Sequence, residues 1–300
     1  MRGILYSVFL FERFMSAILC GAAAPVLSTA HAGPAATTTT TTNATVATTA
    51  AWDELRAVID DFDLIPNLAF SVGDARGEIF RHSKGETDFS TQMGIASATK
   101  WVSGVMVMAT VERGLGGLAL DDLAFERLDY WTRDPEDPRS RVTLRHLLSF
   151  TSGMAGSTAC PAEMDFNTCV RDMYERSTSN FEPGSTVVCE SPTHSHPFVA
   201  AALPLIETEK RATVLHVHAT DNEVHLMYAG GMAAAASGIS VEELFQNFVF
   251  APAGMTSTVW GSANGRPLLG SGISTTPEDY GAFLDAYFNH RLVSEATVVQ

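Results

Sequence analysis

Lysine is nearly absent from this chain of 300 residues: only Lys84, Lys100 and Lys210 carry it. Acidic residues outnumber Lys plus Arg by 34 to 19, and the formal net charge is −15. Such a surface repels phosphate backbones and anionic headgroups, which argues against nucleic-acid binding and against docking on anionic membranes. Cysteine is scarce too. Four are present and none forms a C-x-x-C pair, so neither a zinc ribbon nor a thioredoxin-type site is indicated. H-E-x-x-H is missing, which removes the helical zinc-protease pattern. G-x-S-x-G is also missing, which argues against an α/β-hydrolase nucleophile elbow. The apolar stretch Phe14–Leu27 is shorter than the roughly 20 residues of a spanning helix.

What the N-terminus does have is the pattern of an export signal over residues 1–32. Arg2 and Arg13 precede the apolar stretch, and Ala30-His31-Ala32 has the small-x-small form of a cleavage site. A secreted or extracytoplasmic protein with no membrane span in its mature chain is expected. Residues 33–51 are rich in Thr and Ala with no apolar period, and read as a disordered tether. Asn43-Ala44-Thr45 is an N-glycosylation sequon, usable if the chain is secreted in a eukaryote. Cys160 and Cys169 flank a short loop and are placed to close a disulfide in an oxidising compartment.

The folded region is expected over residues 52–300. Trp52, Leu55, Val58, Ile59 and Phe62 fall near helical spacing. Leu68–Val72 and Glu78–Arg81 read as strands joined through the turn Gly73–Gly77, hence a hairpin. Ser97 reads as the N-cap of a long apolar helix through Glu112, with Gly114 as its stop. Further helices are expected at Leu144–Ser149, Phe166–Arg176, His225–Ser237, Val241–Phe248 and Pro277–Asn289.

Chemistry concentrates at Ser97-Ala98-Thr99-Lys100. Residues i and i+3 share a helix face, so the hydroxyl and the amine point the same way. The positive end of the helix dipole favours developing oxyanion charge, and a neutral lysine can take the serine proton. The chemistry this permits is acyl transfer. The simpler reading is a capping serine followed by a surface lysine.

The surrounding residues extend the pattern. Thr91 to Lys100, Glu112-Arg113-Gly114 with Leu120-Asp121-Asp122, and Leu144 to Met154 resemble, in order, segments of the serine β-lactamase-like hydrolases. So do Phe181 to Ser185, Phe250 to Met255 and Gly272 to Tyr280. This family includes class C β-lactamases, D-peptidases and related esterases and lactonases. The resemblance implies an α+β, β-lactamase/transpeptidase-like fold: an antiparallel sheet flanked by helices, with a mostly helical second subdomain. It implies Ser97 as nucleophile and Lys100 as base. The substrate would be a small molecule or peptide carrying an ester, lactone, lactam or D-peptide bond, and no cofactor is called for.

Two family motifs are not matched. The second usually supplies a tyrosine; here its region holds Cys189, Glu190 and Ser191 instead. The third, Lys-Thr-Gly or His-x-Gly on a late strand, does not appear after Lys210. The resemblance therefore implies a family domain without its C-terminal strands, with an unpaired edge on the N-terminal hairpin. The alternative is a degenerate, non-catalytic homologue that binds a partner or is unstable. Residues 195–224 interrupt the resemblance and read as an insertion. His194-Ser195-His196 and His216-Val217-His218, with Asp221, would permit a metal site, but a polar loop is the simpler reading. Tyr287-Phe288-Asn289 matches the second motif by letter alone and reads as a structural helix face.

Overall fold

Val102, Val105, Met106 and Ala109 recur at steps of one, three and four, so a helix through them carries an apolar stripe. The computed structural model describes residues 6–10, 41–179, 181–185, 223–261 and 265–298. In chain order its elements are β1 (Tyr6–Leu10), α1 (Thr41–Asp60), β2 (Leu68–Asp74), β3 (Gly77–Lys84), β4 (Met93–Gly94), α2 (Thr99–Glu112), α3 (Ala124–Arg127) and α4 (Leu144–Leu148). There follow β5 (Met154–Ala155), α5 (Phe166–Arg176), β6 (Thr178–Ser179), α6 (Glu223–Ser237), α7 (Val241–Phe245), α8 (Ala251–Ala253), β7 (Val259–Trp260), β8 (Ile273–Thr275), α9 (Pro277–Phe288) and α10 (Glu295–Val298).

All four stripe residues of α2 are buried. Helix α6 packs against α2, α4 and α5, and buries Leu226, Met227, Tyr228, Ala229 and Met232. A helix apolar all round belongs inside a core, and α6 lies there. Trp101 ties α9 to α2 through edge-on contacts with Phe283, Tyr287 and Phe288, at 6.0, 5.3 and 5.8 Å between ring centroids.

Helix starts follow side-chain chemistry. Thr143 caps α4 by accepting from the His146 N–H at 3.2 Å, and Asp165 caps α5 from the Thr168 N–H at 2.9 Å. Thr276 caps α9 from the Asp279 N–H at 3.2 Å, with Pro277 in the first turn where its missing N–H costs nothing.

Four expectations are corrected. Among the described residues the antiparallel pairing is divided among three small sheets rather than one: β1-β2-β3, β4-β8-β7 and β5-β6. The hairpin edge is not open. β1 lies antiparallel to β2, Tyr6 opposite Gly73 and Leu10 opposite Ala69, and satisfies backbone groups an edge strand would leave unpaired. Residues 41–51, read as part of a tether, form the first half of α1. The second half is anchored where Trp52, Leu55 and Ile59 pack on the Leu68, Phe70, Val72 and Phe80 cluster, and extending an anchored helix is cheap compared with nucleating one. Helix α7 ends at Phe245 and passes into a π turn over Gln246–Phe250, shorter than the expected Val241–Phe248. The stretch 195–222, with its histidine pairs, lies outside the described residues.

Cys160 and Cys169 are joined as a disulfide, Cα to Cα 5.7 Å. Buried Arg266 fastens the same loop from across the chain. It donates to the carbonyls of Pro161 at 2.8 Å, Met164 at 3.1 Å and Cys160 at 3.3 Å. Closing a loop of this size removes unfolded-state entropy worth about 2–3 kcal/mol. The Cys160→Ser/Cys169→Ser double variant is expected to lose that much in urea unfolding monitored by circular dichroism.

His146 is titratable at the start of α4. Its Nδ1 accepts from the Thr143 N–H at 3.3 Å, and burial pushes its pKa below the usual 6.5. The unfolded chain then binds the proton more readily than the folded one. The stability contributed is complete above pH 6.5 and is lost as pH falls through the folded-state pKa. A His146→Asn variant should therefore show a flatter decline of Tm between neutral and mildly acidic pH than the parent.

Candidate active site

The nucleophile turn is held by its neighbours in space before its own side chains act. β4 pairs with β8, Met93 opposite Thr275 and Gly94 opposite Ser274. The Ile95 N–H donates to the Ile273 carbonyl at 3.0 Å, and the Ile273 N–H donates to Thr99 Oγ1 at 3.2 Å. Gln92 Nε2 adds a bond to Ser274 Oγ at 3.1 Å. Between these ties Ala96 takes φ +42, a left-handed conformation unusual for a residue with a Cβ. This bend delivers the chain into a 3₁₀ turn over Ala96–Ala98, from which α2 continues.

Ser97 is not the N-cap of α2, contrary to the expectation. It sits inside the 3₁₀ turn, and neither that turn nor α2 carries a side-chain cap. Lys100 stands three residues on, in the first turn of α2, and helical side chains three apart share a face. Ser97 Oγ accordingly meets Lys100 Nζ at 2.9 Å. Ser97 is 4% exposed. The Lys100 amine also donates to the Gly270 carbonyl at 3.0 Å. The adjoining Leu269 carbonyl accepts from buried Ser103 Oγ at 2.8 Å, so the turn before β8 is pinned to α2 at two successive residues.

The other family-like segments also converge. The turn Phe181 to Ser185 docks on the loop after α4, where the Gly184 N–H donates to the Thr151 carbonyl at 2.8 Å. Gly153 has φ +74, and a Cβ there would lie 2.1 Å from the Phe181 carbonyl oxygen, so only glycine allows this approach. Phe150 stands edge-on to buried His225 at 5.5 Å. Cys189, Glu190 and Ser191 lie outside the described residues. Asn43 falls in the first half of α1. Tyr287 packs on Trp101, and Asn289 turns back to Asp285, its Nδ2 donating to Oδ1 at 2.9 Å; both serve α9. Among the described residues no group of three or more His, Cys, Asp or Glu is placed to hold a metal ion. No single described helix is long and apolar enough to cross a membrane.

Gly270 and Ser103 are site residues that sequence reasoning missed. The only local signal was the Gly270-Ser271-Gly272 run, a place where a backbone can come close to a neighbouring side chain.

A serine–lysine pair at the entry to a buried helix, fixed against an antiparallel strand, has the geometry that acyl transfer by a serine hydroxyl needs. Residues 55–188 match the Beta-lactamase family model. The chain has a β-lactamase/transpeptidase-like fold. Three solved structures share that fold. One is the "putative beta-lactamase from Bacteroides dorei DSM 17855", 24% identical over 83% of this chain and 68% of that one, TM-score 0.59. Another is EstCE1, a hydrolase with promiscuous acyltransferase activity, 15% identical over 85% of this chain and 77% of that one, TM-score 0.60. The third is a mutant simvastatin synthase from Aspergillus terreus, 18% identical over 85% of this chain and 70% of that one, TM-score 0.53. No protein of curated function matches the chain.

The strained turn yields a stability test. Ala96→Val should destabilise the protein by about 1–2 kcal/mol, because a β-branched side chain fits the left-handed region poorly. Ala96→Gly should be neutral or stabilising. Urea unfolding of both variants checks the difference in sign.

Proposed function

We propose that this protein is an acyl-transferring serine hydrolase in which Ser97 is the nucleophile and Lys100 its general base. The observation that carries the reading is the 2.9 Å separation of Ser97 Oγ and Lys100 Nζ. The Gly270 carbonyl accepts an N–H of Lys100 and holds Nζ beside Ser97 Oγ, where it takes the serine proton as Oγ attacks. Oγ then adds to the carbonyl carbon of an ester, lactone, lactam or D-peptide. The proton taken by Lys100 passes to the departing oxygen or nitrogen as the bond to it breaks. Water, deprotonated by the same amine, attacks the acyl-enzyme, releases the carboxylic acid and restores Ser97. The Ser97 N–H, at the positive end of α2, supplies one oxyanion donor.

The Cys160–Cys169 bridge supports a further element of the reading, that the protein works in an oxidising, extracytoplasmic compartment.

A fluorophosphonate probe tests the nucleophile directly. One covalent label per chain is expected, located at Ser97 by peptide mass spectrometry and abolished by Ser97→Ala. Lys100→Ala should slow labelling by about 10²–10⁴-fold, the usual contribution of a general base. Folded protein that takes no label at Ser97 would overturn the assignment.

A further inference from the structure

The disulfide loop and the reacting pair are joined through Arg266. The bridge between Cys160 and Cys169 closes a short loop, and three carbonyls of that loop, those of Cys160, Pro161 and Met164, accept from the Arg266 guanidinium. The donor lies more than one hundred residues further along the chain. A guanidinium is a rigid planar fork, so it binds several acceptors at once only while they keep their spacing. The bridge maintains that spacing.

Four residues after Arg266 stands Gly270, whose carbonyl accepts from the Lys100 amine at 3.0 Å. The chain between them has little freedom. Pro267 fixes its own φ and restricts the residue before it. The Leu268 carbonyl then closes a turn, accepting from the Ser271 N–H at 3.2 Å and the Gly272 N–H at 2.8 Å. A Cβ on Gly272 would lie 2.7 Å from the Leu268 Cβ, so the turn is as tight as a glycine permits. Residues 268–272 therefore move as a unit. Ser103 holds this unit at the Leu269 carbonyl, and the Gly261 N–H holds it beside β8 at the Gly272 carbonyl. Those two points leave a swing about the line joining them. Arg266 supplies the third.

We propose that Arg266 is a positioning residue for Lys100, and that the Cys160–Cys169 bridge keeps the socket it needs, so that the oxidation state of this cysteine pair sets the reactivity of Ser97. This rests on the acyl-transfer reading above and adds regulation to it. The reductant is a dithiol. One of its thiolates attacks half-buried Cys160 Sγ and releases the fully buried Cys169 as a thiolate. Its second sulfur then displaces Cys160, closing a cyclic disulfide, and the two protons of the dithiol pass to the two cysteines. Two electrons are transferred. The opened loop no longer holds its three carbonyls together, Arg266 loses its seat, and the Gly270 carbonyl swings away from the Lys100 amine. The chain is slow while reduced and quick once the bridge has formed.

The test measures the rate at which a fluorophosphonate labels Ser97 in the full chain. Arg266→Met, which keeps an unbranched stem but no donors, should slow labelling about tenfold or more. Arg266→Lys should recover most of that loss. In a Lys100→Ala background, labelled with more probe, Arg266→Met should change the rate by less than twofold, because the amine it positions is gone. Equal slowing in both backgrounds would mean a general loss of structure and would overturn the proposal. Dithiol reduction should slow the parent as much as Arg266→Met does, at a temperature where circular dichroism shows both folded. The Cys160→Ser/Cys169→Ser variant should match the reduced parent. Equal labelling of reduced and oxidised parent would overturn the proposal too. Amide hydrogen exchange reads the link without any reaction at Ser97. Over times in which α2 exchanges nothing, the Ser271 and Gly272 N–H groups should exchange about tenfold faster in Arg266→Met and in the reduced parent. Unchanged exchange there rejects the link whether or not Ser97 labels. Faster exchange, with no label on Ser97 of the oxidised parent, rejects the acyl-transfer reading and leaves the link standing.

Discussion

The Lys100 amine, held between Ser97 Oγ and the Gly270 carbonyl, is the contact on which the site depends. It joins two parts of the chain that are 170 residues apart. Its geometry is possible only because the turn before β8 lies against the first turns of α2. Ser103 holds that turn and Thr99 the start of β8 with side-chain hydrogen bonds, and β4 holds β8 with a backbone ladder. A hydrogen-bonded amine has fewer orientations to search, so its place beside Ser97 Oγ is set before any substrate arrives.

The core supplies the rigidity behind this contact. Helix α2 is packed by α6 over its buried face and by α9 through the aromatic contacts of Trp101. The strained φ at Ala96 survives because the elements on either side are fixed independently. Packing on α2 is therefore divided by face: one side belongs to the core and one to the reacting pair.

Much of the chain was legible as sequence. Helix spans were close where a cap or an N1 proline marks the start: Phe166–Arg176 as expected, and α9 from Pro277. The order of family-like segments pointed to the fold. Reasoning was less successful where the outcome depended on distant partners. The expected cap at Ser97 gave way to a 3₁₀ turn because Ile273 and Lys100 draw the backbone and the hydroxyl elsewhere. The expected open hairpin edge was covered by Tyr6–Leu10, a segment more than fifty residues upstream. Residues 41–51 carry no apolar period, yet they continue a helix anchored by Trp52.

Local chemistry thus marked the Ser97–Lys100 pair and where helices begin, because a cap, a proline or an i, i+3 pair acts within one turn of chain. Only the tertiary structure decided how those residues are aimed. The Gly270 carbonyl and the Ala96 bend arise from the approach of segments far apart in sequence, and such approaches leave no periodic trace in the residues themselves.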